Sequence, residues 1–324
     1  MDPWDQERRD DLGVHVAIEF DRRDEVGHPH SLIDDRGRRE SIDSGLMESL
    51  RPATLESVLE RLGFPDGVAP DRAGLDAVYL AWCRSVPFDN LVKRIDHVAG
   101  TTPFRNDEPE GFFALWLEHG TGGTCWPSSR ALGALLHTLG FAVTLGSAAM
   151  GDELFGRIHT HATLLVTVDA ATFWVDTSML TDTPVELVEA AETTLDHPLR
   201  PVRAEPVDDL WRVHWMPGGI DTVMGCLLLD REVGAEHYSE RYEWSRTMSR
   251  FNTAVFATTN EIDRVITMTS GELHTVDHRG RTSAGTTDDE RRAIFVDRFG
   301  YSEAIVDALP PDDAPDVPLP ADGG

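Results

Sequence analysis

The spacing of apolar residues changes character near residue 140, and this constrains the fold more than any other feature of the chain. Before it, apolar residues recur at helical intervals. Leu55, Val58, Leu59 and Leu62 form one stripe with Gly63 placed to end it; Leu75, Val78, Tyr79 and Trp82 form a second, stopped by Pro87. A third segment reads as a helix from Pro127 to Leu139. Its Leu132, Leu135, Leu136 and Leu139 lie at i, i+3, i+4 and i+7, and Gly140 stands where a left-handed cap is expected. After the change, strand formers dominate. Ala162 to Val168 and Phe173 to Val175 read as strands joined by a turn near Asp169-Ala170. Beyond Pro184 no repeat can be assigned until Tyr242. Strands are then expected over 253–258, 265–269 and 272–274. A last helix is expected from Asp288 to Phe299, opened by Thr287 with Glu290 at the capping-box spacing and closed by Gly300. Helices, then sheet, then a mixed end define an α+β chain, and 324 residues suffice for two or three units around a sizeable core.

Charge narrows the partners. The chain carries 57 Asp plus Glu against 29 Lys plus Arg, a net charge of -28, and Lys93 is its only lysine. Such a surface disfavours nucleic acid, whose binding depends on neutralising phosphates, and anionic membranes. It fits adaptation to high salt, where screening relieves self-repulsion, or simply an acidic enzyme of a GC-rich genome. No basic start leads into an apolar core and no run of about eighteen apolar residues occurs, so neither a signal peptide nor a membrane span is indicated. Cys83, Cys125 and Cys226 are odd in number and far apart, which does not describe a disulfide framework. With no CxxC or HExxH, no zinc site is expected. The reading is a cytoplasmic protein with free thiols. Residues 1–50, with the polar run Asp34 to Glu40, read as a poorly ordered acidic extension, and 310–324 as a disordered acidic tail.

One cysteine has a setting that suggests chemistry. Cys125 lies in Gly122-Gly123-Thr124-Cys125-Trp126-Pro127-Ser128, directly before the amphipathic helix, with Pro127 suited to its first position. A thiol at a helix N-terminus meets unpaired N–H groups and the positive dipole end, which favour thiolate and can stabilise an oxyanion. The alternative is a cysteine that fills the core. A general base has to come from elsewhere, and His161 stands directly before the first strand, with Asp176 closing the second, fifteen positions on. That odd interval suits direct cross-strand partners around a two-residue turn at Val168-Asp169; a turn at Asp169-Ala170 shifts the pair unless a bulge corrects it. If they meet, Asp176 fixes the imidazole and His161 draws the proton from Cys125, a Cys-His-Asp triad. His159 is the rival base and Asp182 the rival carboxylate.

These residues resemble the arylamine N-acetyltransferases, whose fold elaborates the cysteine-protease and transglutaminase core. Over about 54–309, Val86-Pro87-Phe88-Asp89-Asn90-Leu91 is similar to the family's Pro-Phe-Glu-Asn-Leu stretch, Gly122-Gly123-Thr124-Cys125 to its nucleophile motif, and His161 with Trp174-Val175-Asp176 to its histidine and Val-Asp strands. Arg250-Phe251-Asn252, Gly271-Glu272-Leu273 and the late helix look like its third domain. The resemblance implies a helical domain over 51–140 carrying the cysteine, a β-barrel-like domain over 141–235 carrying histidine and aspartate, and an α/β lid over 236–309. It also implies ping-pong transfer of an acetyl group from acetyl-CoA, as co-substrate and without metal, to an arylamine, arylhydroxylamine or hydrazine. Cys125, His161 and Asp176 would be catalytic, Trp126, Thr177, Ser178 and Met179 would face the acyl donor, and Phe88 would line the acceptor pocket. The expected partner is thus a small amine, not a nucleic acid or a membrane, and the expected state a monomer or homodimer.

The departures lie around the thiol. Thr121 replaces the motif's arginine and Thr124 its aromatic residue; Trp126 and Pro127 follow the cysteine; Thr177-Ser178-Met179-Leu180 stand where the family has Val-Gly-Phe-Gly. Bulkier residues there reshape the acyl pocket and leave room for an amide synthase, thioesterase or amidohydrolase on the same triad, or for a non-enzymatic binding protein. Coenzyme A is itself an anion, so an arginine patch is needed to hold it, with Arg130, Arg241, Arg246, Arg250 and Arg281 available.

Overall fold

The first helices follow the apolar stripes closely. α1 (Pro52–Leu62) starts on proline and ends at Gly63, whose φ of 89° is the left-handed cap that glycine adopts without penalty. α2 (Arg72–Ser85) is capped by Asp71, whose side chain accepts from the Gly74 N–H at 2.8 Å. A short strand β1 (Phe88–Asp89) and α3 (Leu91–Ala99) follow. α4 (Pro109–His119), which the sequence reading missed, buries Phe112, Phe113 and Trp116. α5 (Cys125–Thr138) begins two residues before the expected Pro127, with Thr124 as its N-cap. Pro127 is therefore its third residue rather than its first, still within the turn whose N–H groups have no helical acceptor, so the ring is tolerated. Every residue of α5 from Cys125 to Leu136 is buried. Leucines such as Leu132, Leu135 and Leu136 each contribute about 1.5–3 kcal/mol by leaving water.

Eight strands then make an antiparallel sheet: β2 (Ala142–Met150), β3 (His161–Val168), β4 (Ala171–Val175), β5 (Val185–Glu186), β6 (Thr193–Leu195), β7 (Val202–Val207), β8 (Leu210–Trp215) and β9 (Met224–Val233). Their spatial order is β5-β4-β3-β2-β9-β8-β7-β6, and the terminal strands β5 and β6 touch, so the sheet nearly closes into a barrel. Trp174, Met179, Trp211, Val213 and Leu228 fill one cluster of the core. The turn between β3 and β4 centres on Asp169-Ala170, with φ of 50° and 66°, the two-residue primed hairpin that matches strand twist.

After β9, α6 (Ala235–Met248) packs on α5. A second sheet has the order β1-β10-β11-β12-β13, from β10 (Ala257–Asn260), β11 (Arg264–Thr269), β12 (Glu272–Asp277) and β13 (Gly280–Gly285). The strand expected over 253–258 starts only at Ala257. Residues 250–252, just before it, form a 3-10 turn whose Asn252 amide donates to carbonyls of the last turn of α6, Ser245 at 3.0 Å and Arg246 at 2.6 Å. α7 (Asp288–Asp297) opens with the expected capping box and stops two residues short of Phe299; α8 (Glu303–Asp307) follows.

The computed structural model describes residues 47–151, 156–217 and 223–312, which form one compact unit. Most of the expected extension (1–50) and tail (310–324) lies outside the described residues. Their inner ends are anchored: Glu48 pairs with Arg130, Leu50 is buried, and Asp312 pairs with Arg94 and Arg291. No helix among the described residues is long and apolar enough to cross a membrane.

Candidate active site

Two backbone constraints set the thiol. Gly122 lies so close to β1 that a Cβ on it would sit 1.8 Å from the Pro87 carbonyl oxygen, so only glycine fits. The Gly122 N–H donates to Asp89 Oδ2 at 2.7 Å, the Leu91 N–H donates to Oδ1 at 3.1 Å, and the Tyr301 hydroxyl also donates to Oδ2, at 3.0 Å. Asp89 is fully buried, and burial pushes its carboxyl up to about 6 against these three hydrogen bonds. Phe88 bridges to Gly123 in the same stretch. Cys125 follows as the first residue of α5, where the N–H groups of Cys125 and Trp126 have no intrahelical acceptor. All three cysteines are buried, and none is in a disulfide.

His161 opens β3 and Asp176 follows β4. The register pairs Leu164 with Val175, so Asp176 falls opposite Thr163, not His161. The turn is centred one residue later than direct pairing requires, yet no bulge is needed. His161 and Asp176 are diagonal neighbours on one face, and the side chains span the offset: His161 Nε2 to Asp176 Oδ2 is 2.7 Å. The imidazole also hydrogen-bonds the Cys125 side chain. Since Nε2 is held by the carboxylate, Nδ1 is the nitrogen left for sulfur. Sulfur, imidazole and carboxylate thus form one continuous chain, all buried.

The carboxylate is heavily supported. Oδ2 also accepts from Trp174 Nε1 at 3.2 Å, and Oδ1 from the N–H groups of Ser178 and Met179 at 2.8 and 3.0 Å. Burial alone would raise Asp176, but the charge and hydrogen bond of His161 and the two backbone donors hold it below its ordinary value. Burial likewise opposes the imidazolium, and Asp176 together with Cys125 outweighs it, raising His161 to about 10. Tyr79, read from sequence as part of a core stripe, donates its hydroxyl to the Asp176 carbonyl at 2.6 Å and is hydrogen-bonded to Thr181. Leu180, where the resembled family has glycine, keeps a positive φ of 48°. An L-residue costs energy in that conformation, and the Tyr79 and Asp176 hydrogen bonds hold the turn.

The rivals go elsewhere. His159 Nδ1 contacts Ser147 Oγ at 2.9 Å, and its Nε2 lies 3.8 Å from Asp230; the same serine contacts His237 Nε2 at 3.1 Å. Burial lowers both His159 and His237. Asp182 accepts from Asn260 at 2.8 Å and from Arg84 at 3.3 Å. The four residues expected to face the acyl donor are all buried. Trp126 packs on Tyr238 at 5.1 Å, Thr177 contacts Ser129 at 3.1 Å, and Met179 is in the barrel core. Ser178 offers its N–H to Asp176, and its hydroxyl has no hydrogen-bond partner among the described residues. Phe88 is edge-on to Phe251 and Phe256. Arg130 is bound to Glu48, Asp107 and Ser239, and Arg246 to Glu243. Arg281 donates to the Pro217 carbonyl at 3.5 Å. Arg241 and Arg250 lie over Trp244 and Phe251 and have no carboxylate at ion-pair distance among the described residues. Nor does any group of three or more His, Cys, Asp or Glu among the described residues suit a metal ion.

The family profile described as N-acetyltransferase matches residues 72–304. Proansamycin X synthase of Amycolatopsis mediterranei is 29% identical over 134 residues, 41% of this chain and 50% of that protein. The arylamine N-acetyltransferase of Mycolicibacterium smegmatis is 32% identical over 121 residues, 36% of this chain and 42% of that protein. The chain therefore spans half or less of the curated relatives it matches. In fold it is similar to the Mycobacterium marinum arylamine N-acetyltransferase solved in complex with CoA. The TM-score is 0.67 at 18% identity, covering 79% of this chain and 97% of that one. The profile match reaches from α2 to the start of α8, across both sheets and every residue of the sulfur-to-carboxylate chain, and the chain belongs to the arylamine N-acetyltransferase family.

Proposed function

We propose that the protein is a ping-pong acyltransferase that moves an acetyl group from acetyl-CoA to an arylamine, arylhydroxylamine or hydrazine. The observation that carries this reading is the buried chain from Cys125 through His161 to Asp176. In the first half-reaction the Cys125 thiolate attacks the thioester carbon. The bond from that carbon to the CoA sulfur breaks, and the departing sulfur takes the imidazolium proton. In the second, the acceptor nitrogen attacks the acetyl-cysteine, the bond to the Cys125 sulfur breaks, and His161 takes the amine proton. Asp176 holds the imidazole and stabilises its charged form. The N–H groups of Cys125 and Trp126 are suited to the oxyanion of each step. The nucleophile comes from the helical part (51–140) and its two partners from the barrel part (141–235). Ser178 and Trp126 are assigned to the donor side, Phe88 to the acceptor side, and Arg241 and Arg250 to the CoA phosphates.

A second reading keeps the triad and changes the acyl group, as in an amide synthase, thioesterase or amidohydrolase. It is favoured by the similarity to a protein named as a synthase and by the Thr177-to-Leu180 segment, bulkier than the family's. Intact-mass measurement after mixing with acetyl-CoA, without acceptor and at low and high salt, tests the first reading. A gain of one acetyl group that disappears in Cys125→Ala is expected. No gain in folded wild-type protein would overturn acetyl-CoA as the donor.

A further inference from the structure

The turn after β4 carries the two N–H groups that hold Asp176, those of Ser178 and Met179, and its shape is not free. Leu180 and Asp182 have φ of 48° and 60°, a conformation that L-residues adopt at a cost, and no glycine or asparagine stands between Thr177 and Thr181 to ease it. The carbonyls of the strained step are held from outside the hairpin. Arg200, in the loop before β7, is buried and spreads its guanidinium over three acceptors. Nη1 donates to the Met179 carbonyl at 2.9 Å, Nε to Asn260 Oδ1 at 3.1 Å and Nη2 to Thr258 Oγ1 at 3.3 Å. Asn260, the last residue of β10, donates in turn to the Leu180 carbonyl at 2.7 Å and to Asp182 Oδ1 at 2.8 Å. Thr258 donates to the Ile266 carbonyl of β11 at 3.1 Å, so the assembly is rooted in the second sheet. The three acceptors of Arg200 are neutral, and no carboxylate among the described residues lies at ion-pair distance from it. Burial lowers the guanidinium to about 10, and it stays charged near neutral pH. A buried cation without an opposite charge in contact is costly. What it supplies is a rigid fork of donors that fixes three directions at once, which no apolar side chain of that length can do.

We propose that Arg200, together with Asn260, is a positioning residue for Asp176: the pair holds the Met179 and Leu180 carbonyls so that the N–H groups of Ser178 and Met179 stay aimed at the carboxylate that orients His161. Met179 is gripped on both sides, its N–H by Asp176 Oδ1 and its carbonyl by Arg200. The contacts run without a gap from Thr258 and Asn260 through Arg200 to the turn, and from the turn through Asp176 to His161 Nε2. The second sheet thereby supports the triad from behind, although none of these clamp side chains reaches the reacting atoms. An Arg200 that merely fastened the barrel to the second sheet would leave the triad indifferent to its loss in protein that still folds.

This inference rests on the reading of Cys125, His161 and Asp176 as the triad, and it is tested in the full chain with Arg200→Met, Arg200→Lys and Asn260→Ala, thermal midpoints establishing which variants fold. The first readout is the single-turnover rate of Cys125 acetylation, followed by intact mass over a range of acetyl-CoA concentrations. Folded Arg200→Met should react about ten- to a hundredfold more slowly at saturating donor, with the half-saturating concentration within about twofold of wild type. Arg200→Lys keeps one donor for the Met179 carbonyl and should recover part of the rate, and Asn260→Ala should lose less than Arg200→Met. In an Asp176→Asn background Arg200→Met should cost less than about twofold more, because a residue that acts through the carboxylate has nothing left to act on. The second readout is solvent exchange of the His161 Nε2 proton by NMR, which should quicken by about tenfold in Arg200→Met as the hydrogen bond to Asp176 loosens. A wild-type rate and wild-type exchange in folded Arg200→Met, or a loss that adds in full to that of Asp176→Asn, would overturn the proposal. If Arg200→Met does not fold, Arg200→Lys and Asn260→Ala decide by the same two readouts. If acetyl-CoA fails to acylate wild-type protein, the donor falls, and the His161 exchange alone decides whether the clamp stands.

Discussion

His159 and His161 are two residues apart and have opposite electrostatic fates. His161 is buried against a carboxylate at 2.7 Å and is raised to about 10. His159 is part-buried, with Asp230 at 3.8 Å, a second histidine beside it at 5.4 Å between rings and Arg241 nearby, and it is lowered. Burial pushes both imidazoles toward the neutral form. Only a carboxylate in direct contact, itself held by Trp174, Ser178 and Met179, reverses the sign. Residue type therefore says little about which histidine is poised for proton transfer, and the support behind its carboxylate says much.

The largest effect follows from removing that support. Asp176→Asn should lower transfer by about 10³–10⁴-fold and lower the His161 pKa, because burial would then be opposed by Cys125 alone. Steady-state rates and the histidine NMR titration check both halves. If the rate falls while His161 stays high, the comparison is misdrawn. Next comes pH. For His161 the folded value is raised, so its contribution to stability is complete below about 6.5 and lost as pH climbs through about 10. For His159 and His237 the folded values are lowered, so stability is lost as pH falls below the ordinary histidine range. Between about pH 7.5 and 5.5 a His159→Gln/His237→Gln variant should therefore fare better against acid than wild-type protein, its denaturant midpoint shifting upward relative to wild type as pH falls, while the contribution of His161 is common to both. An equal slope in both would remove the second cluster from the comparison. The smallest effect is expected for Asp230→Asn, which should lower the His159 titration further while transfer changes by less than about twofold. A large loss of transfer would show that the two clusters are coupled.

How much of this was legible depends on how local the signal is. α1, α2 and α5 were readable because each presents one apolar stripe bounded by a glycine or proline. α4 was not, because it is apolar on several faces and its Phe112 and Phe113 pack in different directions around Trp82. α6 was not, because only Tyr238, Tyr242 and Ser245 of it are buried and the rest is polar. The barrel strands after Pro184 are short, and β2 pairs with β9 across a bulge at Ser147, a contact that no local pattern encodes. In the candidate site, the Cys125 setting and the histidine-to-aspartate interval could be read along the chain. The turn was expected near Asp169-Ala170, but its centre could not be fixed between 168–169 and 169–170, since positive φ at Asp169 and Ala170 carried no glycine to announce it. The contacts of Asp89, Tyr79 and Lys93 could not be read along the chain, because their partners come from residues 301, 176 and 245.

One of those contacts reaches into how the protein is made. A single oxygen of Asp89 receives both the Gly122 N–H and the Tyr301 hydroxyl. Ribosomes deliver residue 301 long after Cys125 has left the exit tunnel. Until then the oxygen that holds the loop before the thiol lacks one of its two donors. A nascent chain with all of the triad in place is thus still missing a fastening from residue 301, and the setting of the sulfur is finished only after that residue has been made.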